Sequence, residues 1–275
     1  GLGAVKTLDK KSGYIDKNGL EVITPKFEFV SQFSEGLAFA NVDDKYGYID
    51  KNGNFVIEPK FQKTRIFSEG LANVEIENSK EGFINKNGNY VIGPDSSSYG
   101  DFSEELATVW LDGKAGFINK AGEFALEPKY KSTGKFSEGL AWVKTEDKCG
   151  YINKKGEKVV EEKFDKCRDF SSGAARVEVD GKRGFINKKG EWIIELKNNI
   201  YLPDFSEGLF PYQESESGFE IYFRSWGYID TEGNYAIEPK FLFAYGFSEG
   251  LACVETWGKT GYINTKGEYI WEPSN

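Results

Sequence analysis

The chain has 275 residues, 39% hydrophobic and 29% charged, which supplies enough apolar material for a core and excludes a disordered polymer. Lys and Arg number 35 against 44 Asp and Glu, a formal charge of −9 that repels phosphate backbones and anionic lipid and argues against nucleic-acid partners. Histidine is absent, which excludes Ser-His-Asp and Cys-His nucleophiles and every His-containing metal site together.

Other exclusions follow. No apolar run reaches the roughly 18 residues of a membrane helix, so no membrane span is expected. Methionine is absent, so Gly1 is expected to be a processing remnant or an expression scar, compatible with a signal peptide removed upstream. Cys149, Cys167 and Cys253 stand where other repeats carry unrelated residues. Three unpaired, half-buried thiols are the expected reading, with a Cys149–Cys167 disulfide within one repeat as the alternative. Neither specifies a compartment.

Along the chain, GYIDKNG at Gly13–Gly19 recurs as variants beginning at Gly47, Gly82, Gly116, Gly150, Gly184, Gly227 and Gly261. Subtracting successive first glycines gives steps of 34, 35, 34, 34, 34, 43 and 34 residues. A period in that range marks a repeat array. A single repeat domain over residues 1–275 is expected, with repeats starting near 2, 37, 71, 106, 140, 174, 209 and 251.

Each repeat reads as three short strands and a connector. In the second these are LAFANV (Leu37–Val42), GYID (Gly47–Asp50) and NFVIEPKF (Asn54–Phe61). Alternation places Ala72, Val74 and Ile76 on one face of the third repeat's first strand. The later strands are apolar on both faces and need cover from stacked neighbours. The glycine closing the second hairpin turn, from Gly19 to Gly267, fits a position of positive φ. Proline at Pro25, Pro59, Pro94, Pro128, Pro239 and Pro273 is expected to end the third strand.

The connector F-S-x-G begins at Phe33, Phe67, Phe102, Phe136, Phe170, Phe205 and Phe247, with Glu105 and Ser172 as departures from F-S-E-G. The phenylalanine is expected to plug the space between repeats, with Ser and Glu building the turn. Asp95–Asp101 reads as a looser loop. The seventh repeat carries a longer first hairpin at Tyr212–Ser225, a candidate contact loop.

The pattern F-S-E-G-L-A-x-V…G-K-x-G-[YF]-I-[DN]-x-x-G-x-x-V-I-x-P-K-[FY] resembles the WG (KWG) repeat over essentially the whole chain. The family's Lys stands at Lys11, Lys45, Lys80, Lys114, Lys148, Lys182 and Lys259, with Ser225 the exception. Its Trp remains only at Trp226; Ser12, Tyr46, Glu81, Ala115, Cys149, Arg183 and Thr260 replace it elsewhere. The resemblance implies a bacterial repeat scaffold, often of the cell envelope, with no general catalytic activity.

The fold expected is all-β: eight tandem β-meander repeats of about 34 residues arranged as a small-bladed β-propeller, the alternative being an open β-solenoid of stacked hairpins. No catalytic, cofactor or metal residue is assigned. The recurring glutamates Glu35, Glu69, Glu104, Glu138, Glu207 and Glu249 would form a ring or row able to bind cations or act as acids, but repetition favours turn-building. Asp16–Gly19 and Asp50–Gly53 fall short of a calcium loop and read as hairpin chemistry.

Trp110, Trp142, Trp192, Trp226, Trp257 and Trp271 do not repeat in register; core filling competes with a role on sugars or a partner protein. The expected function is a noncatalytic scaffold for a protein or glycan, outside the cytoplasm. A carboxylate-based carbohydrate enzyme and a structural spacer are the alternatives.

Overall fold

The computed structural model describes residues 2–95, 97–196, 205–213 and 225–272. The chain divides into two compact units, Gly1–Phe136 and Ser137–Asn275. The first holds repeats one to four and the second repeats five to eight. All described regular structure is β except one 3-10 turn at Glu77–Ser79.

The second repeat serves for the rest. Its connector supplies a two-residue strand, Phe29–Val30, which pairs antiparallel with Ala38–Val42; Lys45–Ile49 and Phe55–Phe61 follow in order. Hydrogen bonding stops there, because Phe55–Phe61 is the sheet's far edge and finds no further strand. Among the described residues every sheet is likewise a separate strip of three or four strands. The expected closed β-propeller is therefore corrected: no sheet is closed or curled, and the strips match the alternative, stacked hairpins. Side chains, not ladder bonds, join one repeat to the next.

That packing follows from the alternation of faces. Tyr14, Ile23 and Phe27 of the first repeat meet Val30, Ala38, Ala40 and Ile49 of the second. Leu37, Tyr48, Ile57 and Phe61 of the second meet Phe67, Ala72, Val74 and Ile84 of the third. Tyr228, Ile237 and Phe241 of the seventh meet Phe247, Ala252, Val254 and Ile263 of the eighth in the same way. The second strands are covered on both faces, as Phe83 and Ile84 are, but the third strands are covered on one. Ile57, Ile92 and Val160 are buried while Val56, Val91 and Val159 are exposed, which corrects the expected cover of both faces there.

One contact recurs at each such junction. The second-strand aromatic of a repeat packs against the phenylalanine of the connector that follows: Tyr14 on Phe33, Tyr48 on Phe67 and Tyr228 on Phe247, with centroids 4.7, 4.8 and 4.8 Å apart. The tyrosine hydroxyl donates to the carbonyl two residues before that phenylalanine: Tyr48 to Arg65 at 2.7 Å, Tyr151 to Arg168 at 2.9 Å and Tyr228 to Tyr245 at 2.8 Å. Tyr48 also meets the Thr64 hydroxyl. Burial pushes these tyrosines far above their ordinary pKa, so they remain donors. The plug expected of the phenylalanine is present.

Two sequence readings change. Proline does not end the third strand; Pro25, Pro59, Pro128 and Pro239 lie inside it. Tyr46 faces Phe61 while Tyr48 faces Ile57, so two steps on one strand oppose four on the other. Proline occupies this bulge, where no ladder donor is needed. Gly47, the glycine of the WG pair, lies under the bulge: a Cβ there would stand 2.4 Å from the Ile57 carbonyl oxygen.

The second change concerns Asp95–Asp101. In place of a loose loop, Ser98–Tyr99 forms the usual two-residue strand, and Tyr99 donates to Asp95 at 2.8 Å while its ring packs on Phe83. Tyr99 replaces the apolar anchor that the missing Lys-Phe would have positioned. Ser96, Pro273 and most of the Tyr212–Ser225 hairpin lie outside the described residues.

Phe67→Ala empties a site that is 1% exposed and should cost about 3–5 kcal/mol, whereas Tyr48→Phe, which leaves the Arg65 carbonyl without its donor, should cost about 1 kcal/mol. Chemical denaturation of the two variants checks the order. Gly47→Ala forces the bulge off the second strand and should cost about 1–3 kcal/mol by the same measurement.

Candidate functional site

The connector turn places the recurring glutamates. Ser34 and Leu37 exchange both backbone hydrogen bonds, at 2.9 and 3.0 Å, around Glu35 and Gly36. Both central residues have positive φ, 51° and 91°, the signature of a tight I′ hairpin. Asn or Asp suits the first central position better than glutamate does. The reason for glutamate lies in the next repeat.

The Glu35 carboxylate accepts the Gly70 N–H at 3.1 Å, Glu69 accepts from Glu105 at 2.9 Å, Glu138 from Gly173 at 3.0 Å and Glu207 from Gly250 at 3.0 Å. A parallel row of hydroxyls donates to the next connector's phenylalanine carbonyl: Ser34 to Phe67, Ser68 to Phe102, Ser103 to Phe136, Ser137 to Phe170 and Ser206 to Phe247, at 2.6–2.7 Å. Lysines of the hairpin turns add charge, with Lys86 at 3.1 Å from Glu35, Lys120 at 3.2 Å from Glu69 and Lys188 at 3.1 Å from Glu138. The glutamates thus stand in the turns, bonded from repeat to repeat. Among the described residues no group of three Cys, Asp or Glu is placed to hold a metal ion.

Glu69 shows the electrostatics of the row. Burial, the largest influence, works against its charge, but the Glu105 N–H, Lys120 and the Glu104 N–H outweigh it and hold the carboxyl below its ordinary pKa. In the DKNG turns, Asp50 accepts the Asn54 and Asn52 N–H groups and Asn85 makes the same pair of bonds uncharged. That is hairpin chemistry, as expected, and explains why Asn replaces Asp so freely.

The cysteine reading is corrected. Cys149 and Cys167 form a disulfide with Cα atoms 6.2 Å apart. It does not lie within one repeat: Cys149 occupies the WG tryptophan position of the fifth, and Cys167 belongs to the connector strand of the sixth. Sequence spacing could not show that these positions face each other across a junction. Cys253 is a free, half-buried thiol that burial and Glu255 push upward in pKa.

The tryptophans divide. Trp142 packs against the fifth repeat's core and faces away from buried Ala141 and Val143, as expected. Trp110 is half-buried, and Trp192 meets Phe164 edge-on at 6.2 Å. Trp226 stacks on Phe243 of the eighth repeat. Trp257 and Trp271, also of that repeat, are exposed.

Apolar side chains reach solvent in several repeats, Leu20, Phe29 and Phe124 among them, and in the eighth Phe243, Tyr245, Leu251, Trp257, Tyr262, Ile270 and Trp271 are exposed. Phe243 faces Glu255 across the ladder, Tyr245 donates to Glu255 at 3.2 Å, and Trp257 lies two residues beyond Glu255. Trp257 itself is 80% exposed with φ of 42°. Its turn has the I′ form, and the corresponding position elsewhere holds Asp43, Asp112 or Asp180. A bulky aromatic at positive φ is strained without any packing return. The sequence reading named Trp257 among the six tryptophans without singling out its turn; the signal was T-W-G-K where the turns at Asp112 and Asp180 read D-G-K.

The fold is that of an all-β tandem-repeat protein built from three-strand meanders. The WG containing repeat matches residues 13–46, 46–79, 82–114, 116–149, 150–182, 184–216 and 226–259, and the chain belongs to this family. No curated protein matches the sequence. Among solved structures, the crystal structure of a eukaryotic initiation factor is similar at a TM-score of 0.60 and 10% identity, over 97% of this chain and 82% of that one. BamB from Moraxella catarrhalis is similar at 0.47 and 12%, over 100% and 91%. At 10% identity the likeness to the initiation factor is one of fold alone.

The Glu69 carboxylate contributes stability that is present above the ordinary carboxylate range and is lost as pH falls through its lowered folded pKa. Glu69→Gln should therefore lower the thermal midpoint at pH 7 and flatten its decline below about pH 4.5 relative to the parent chain. A pH series of thermal melts measures both.

Proposed function

We propose that the chain is a noncatalytic scaffold that binds a protein partner through the exposed aromatic residues of its eighth repeat. Trp257 carries this reading. It is an exposed, strained tryptophan at a turn position where three other repeats place aspartate. Strain at a residue that packs against nothing points to a use outside the fold. Phe243 pairs with Glu255, two residues before Trp257, and the exposed Tyr245 reaches Glu255 through its hydroxyl. Exposed aromatic clusters are the anchors of protein interfaces.

The carboxylates argue against the enzyme alternative. Glu35, Glu69, Glu138 and Glu207 each hold a backbone amide of the next repeat, which leaves them orienting turns instead of facing a substrate. The Cys149–Cys167 disulfide favours an oxidising compartment, hence a place outside the cytoplasm, and the family resemblance makes the cell envelope the first place to look. No described helix is long and apolar enough to cross a membrane.

Trp257→Asp tests the reading because it separates stability from binding. Relief of the strained turn should raise stability by about 0.5–1.5 kcal/mol in chemical denaturation. The same variant, immobilised beside the parent chain, should lose a protein that the parent retains saturably from an envelope extract and not from a cytosolic extract. Equal retention by both chains overturns the assignment to this surface. Retention of purified cell-wall glycan in place of a protein overturns the choice of partner class.

A further inference from the structure

The sixth repeat gathers cations on one face of its sheet. Lys166 of the connector strand pairs with Glu178 of the first strand, and Glu178 pairs in turn with Arg183 of the second. Beside that row, the Arg168 N–H donates to the Arg176 carbonyl at 3.0 Å. Residues two apart on a strand share a face, so all five side chains project from the same side. They line a cavity of about 250 Å³, four cations around a single carboxylate. That carboxylate is already shared, its Oε2 lying 3.1 Å from the Lys166 ammonium and 3.2 Å from Arg183 Nε. Neighbouring acids are engaged elsewhere, Asp165 and Asp180 on Lys148 and Glu195 on Lys182.

Other repeats fill the same positions differently. The second covers them with rings: Phe29 stacks on Phe39, and Tyr46 meets Phe39 edge-on. The third keeps the connector cations, Lys63 and Arg65, but sets Glu75 and Glu81 against them. There Asn73 stands where the sixth repeat has Arg176, and Glu81 where it has Arg183. Two arginines in place of an amide and an acid turn a balanced face into a cationic one. The strand beneath is also held from behind. Cys167 lies between Lys166 and Arg168, and its disulfide to Cys149 ties the connector to the fifth repeat.

We propose that this pocket binds a tetrahedral oxyanion, a phosphoryl or sulfuryl group. Guanidinium forks and an ammonium converging from three strands suit an anion whose oxygens point in several directions, which a planar carboxylate does not offer. The chain's formal charge of −9 repels extended polyanions, so the ligand is compact, either the free ion or its ester on a small molecule. The cavity agrees, being smaller than those that hold drug-sized ligands. This site is separate from the aromatic surface of the eighth repeat, and neither reading depends on the other.

Isothermal titration of the full chain at low ionic strength with inorganic phosphate, sulfate, phenyl phosphate and acetate is the test. Saturable binding of at least one of the first three is expected with a Kd below ~1 mM, tighter than acetate. Arg183→Trp, which restores the family's tryptophan, should weaken binding at least ~10-fold, and Lys166→Gln several-fold. Lys166 is exposed, so its variant carries the test if Arg183→Trp fails to fold. Tighter binding of phenyl phosphate than of phosphate supports the site and makes an ester its ligand; equal affinity supports it for the free ion. A Kd above ~1 mM for all three, acetate bound as tightly, or affinity unchanged in either folded variant overturns the proposal. Saturation by heparin alone also overturns it, by making an extended polyanion the ligand.

Discussion

The rest of the structure depends on an aromatic ring of one repeat resting against the connector phenylalanine of the next. Sheets of three or four short strands have little core of their own, and their hydrogen bonds end at the edge strand. Tyr48 on Phe67 supplies what the ladder cannot: buried area, a defined ring geometry and a hydroxyl bond to Arg65 across the junction. Because the tyrosine hydroxyl is satisfied by a backbone carbonyl, it fixes the height of the connector regardless of the side chains that vary along it.

The glycines and glutamates make that contact possible. Gly47 lets the third strand bulge over the second, with the Ile57 carbonyl at a distance no Cβ tolerates. The bulge admits Pro59 and turns Phe61 toward the core, where it is fully buried. Glu35 accepts an unfavourable backbone conformation so that its carboxylate can reach the next connector. Local preference yields at each of these points to the bond between repeats, and the WG glycine reads as a packing constraint. The tryptophan beside it is replaceable: buried Ser12, Ala115 and Cys149 and half-buried Tyr46 and Arg183 occupy its position, and at Cys149 a disulfide bridges the junction.

In the eighth repeat, residues that elsewhere build a junction are exposed: Leu251, Tyr262 and Trp271. Trp257 departs from the repeat pattern in the same repeat, against the conformational preference of its turn. Two independent features, one a retained design and the other a local exception, thus concentrate in the eighth repeat.

The sequence by itself determined the repeat and its period, the strands, the positive-φ glycines and the phenylalanine plug, because each rests on local chemistry copied many times. It also identified Asp50 as a residue that builds its hairpin turn. Tertiary structure alone decided that the sheets remain separate and open, that Pro59 sits within a strand, that Cys149 meets Cys167 across a junction, and that Glu35 bonds to Gly70. Each of those facts depends on how far apart two repeats stand and which atoms then face one another. The exposure of Tyr262 belongs to the same group. Its sequence is that of any buried copy, and only the packing around it in three dimensions shows that it is exposed.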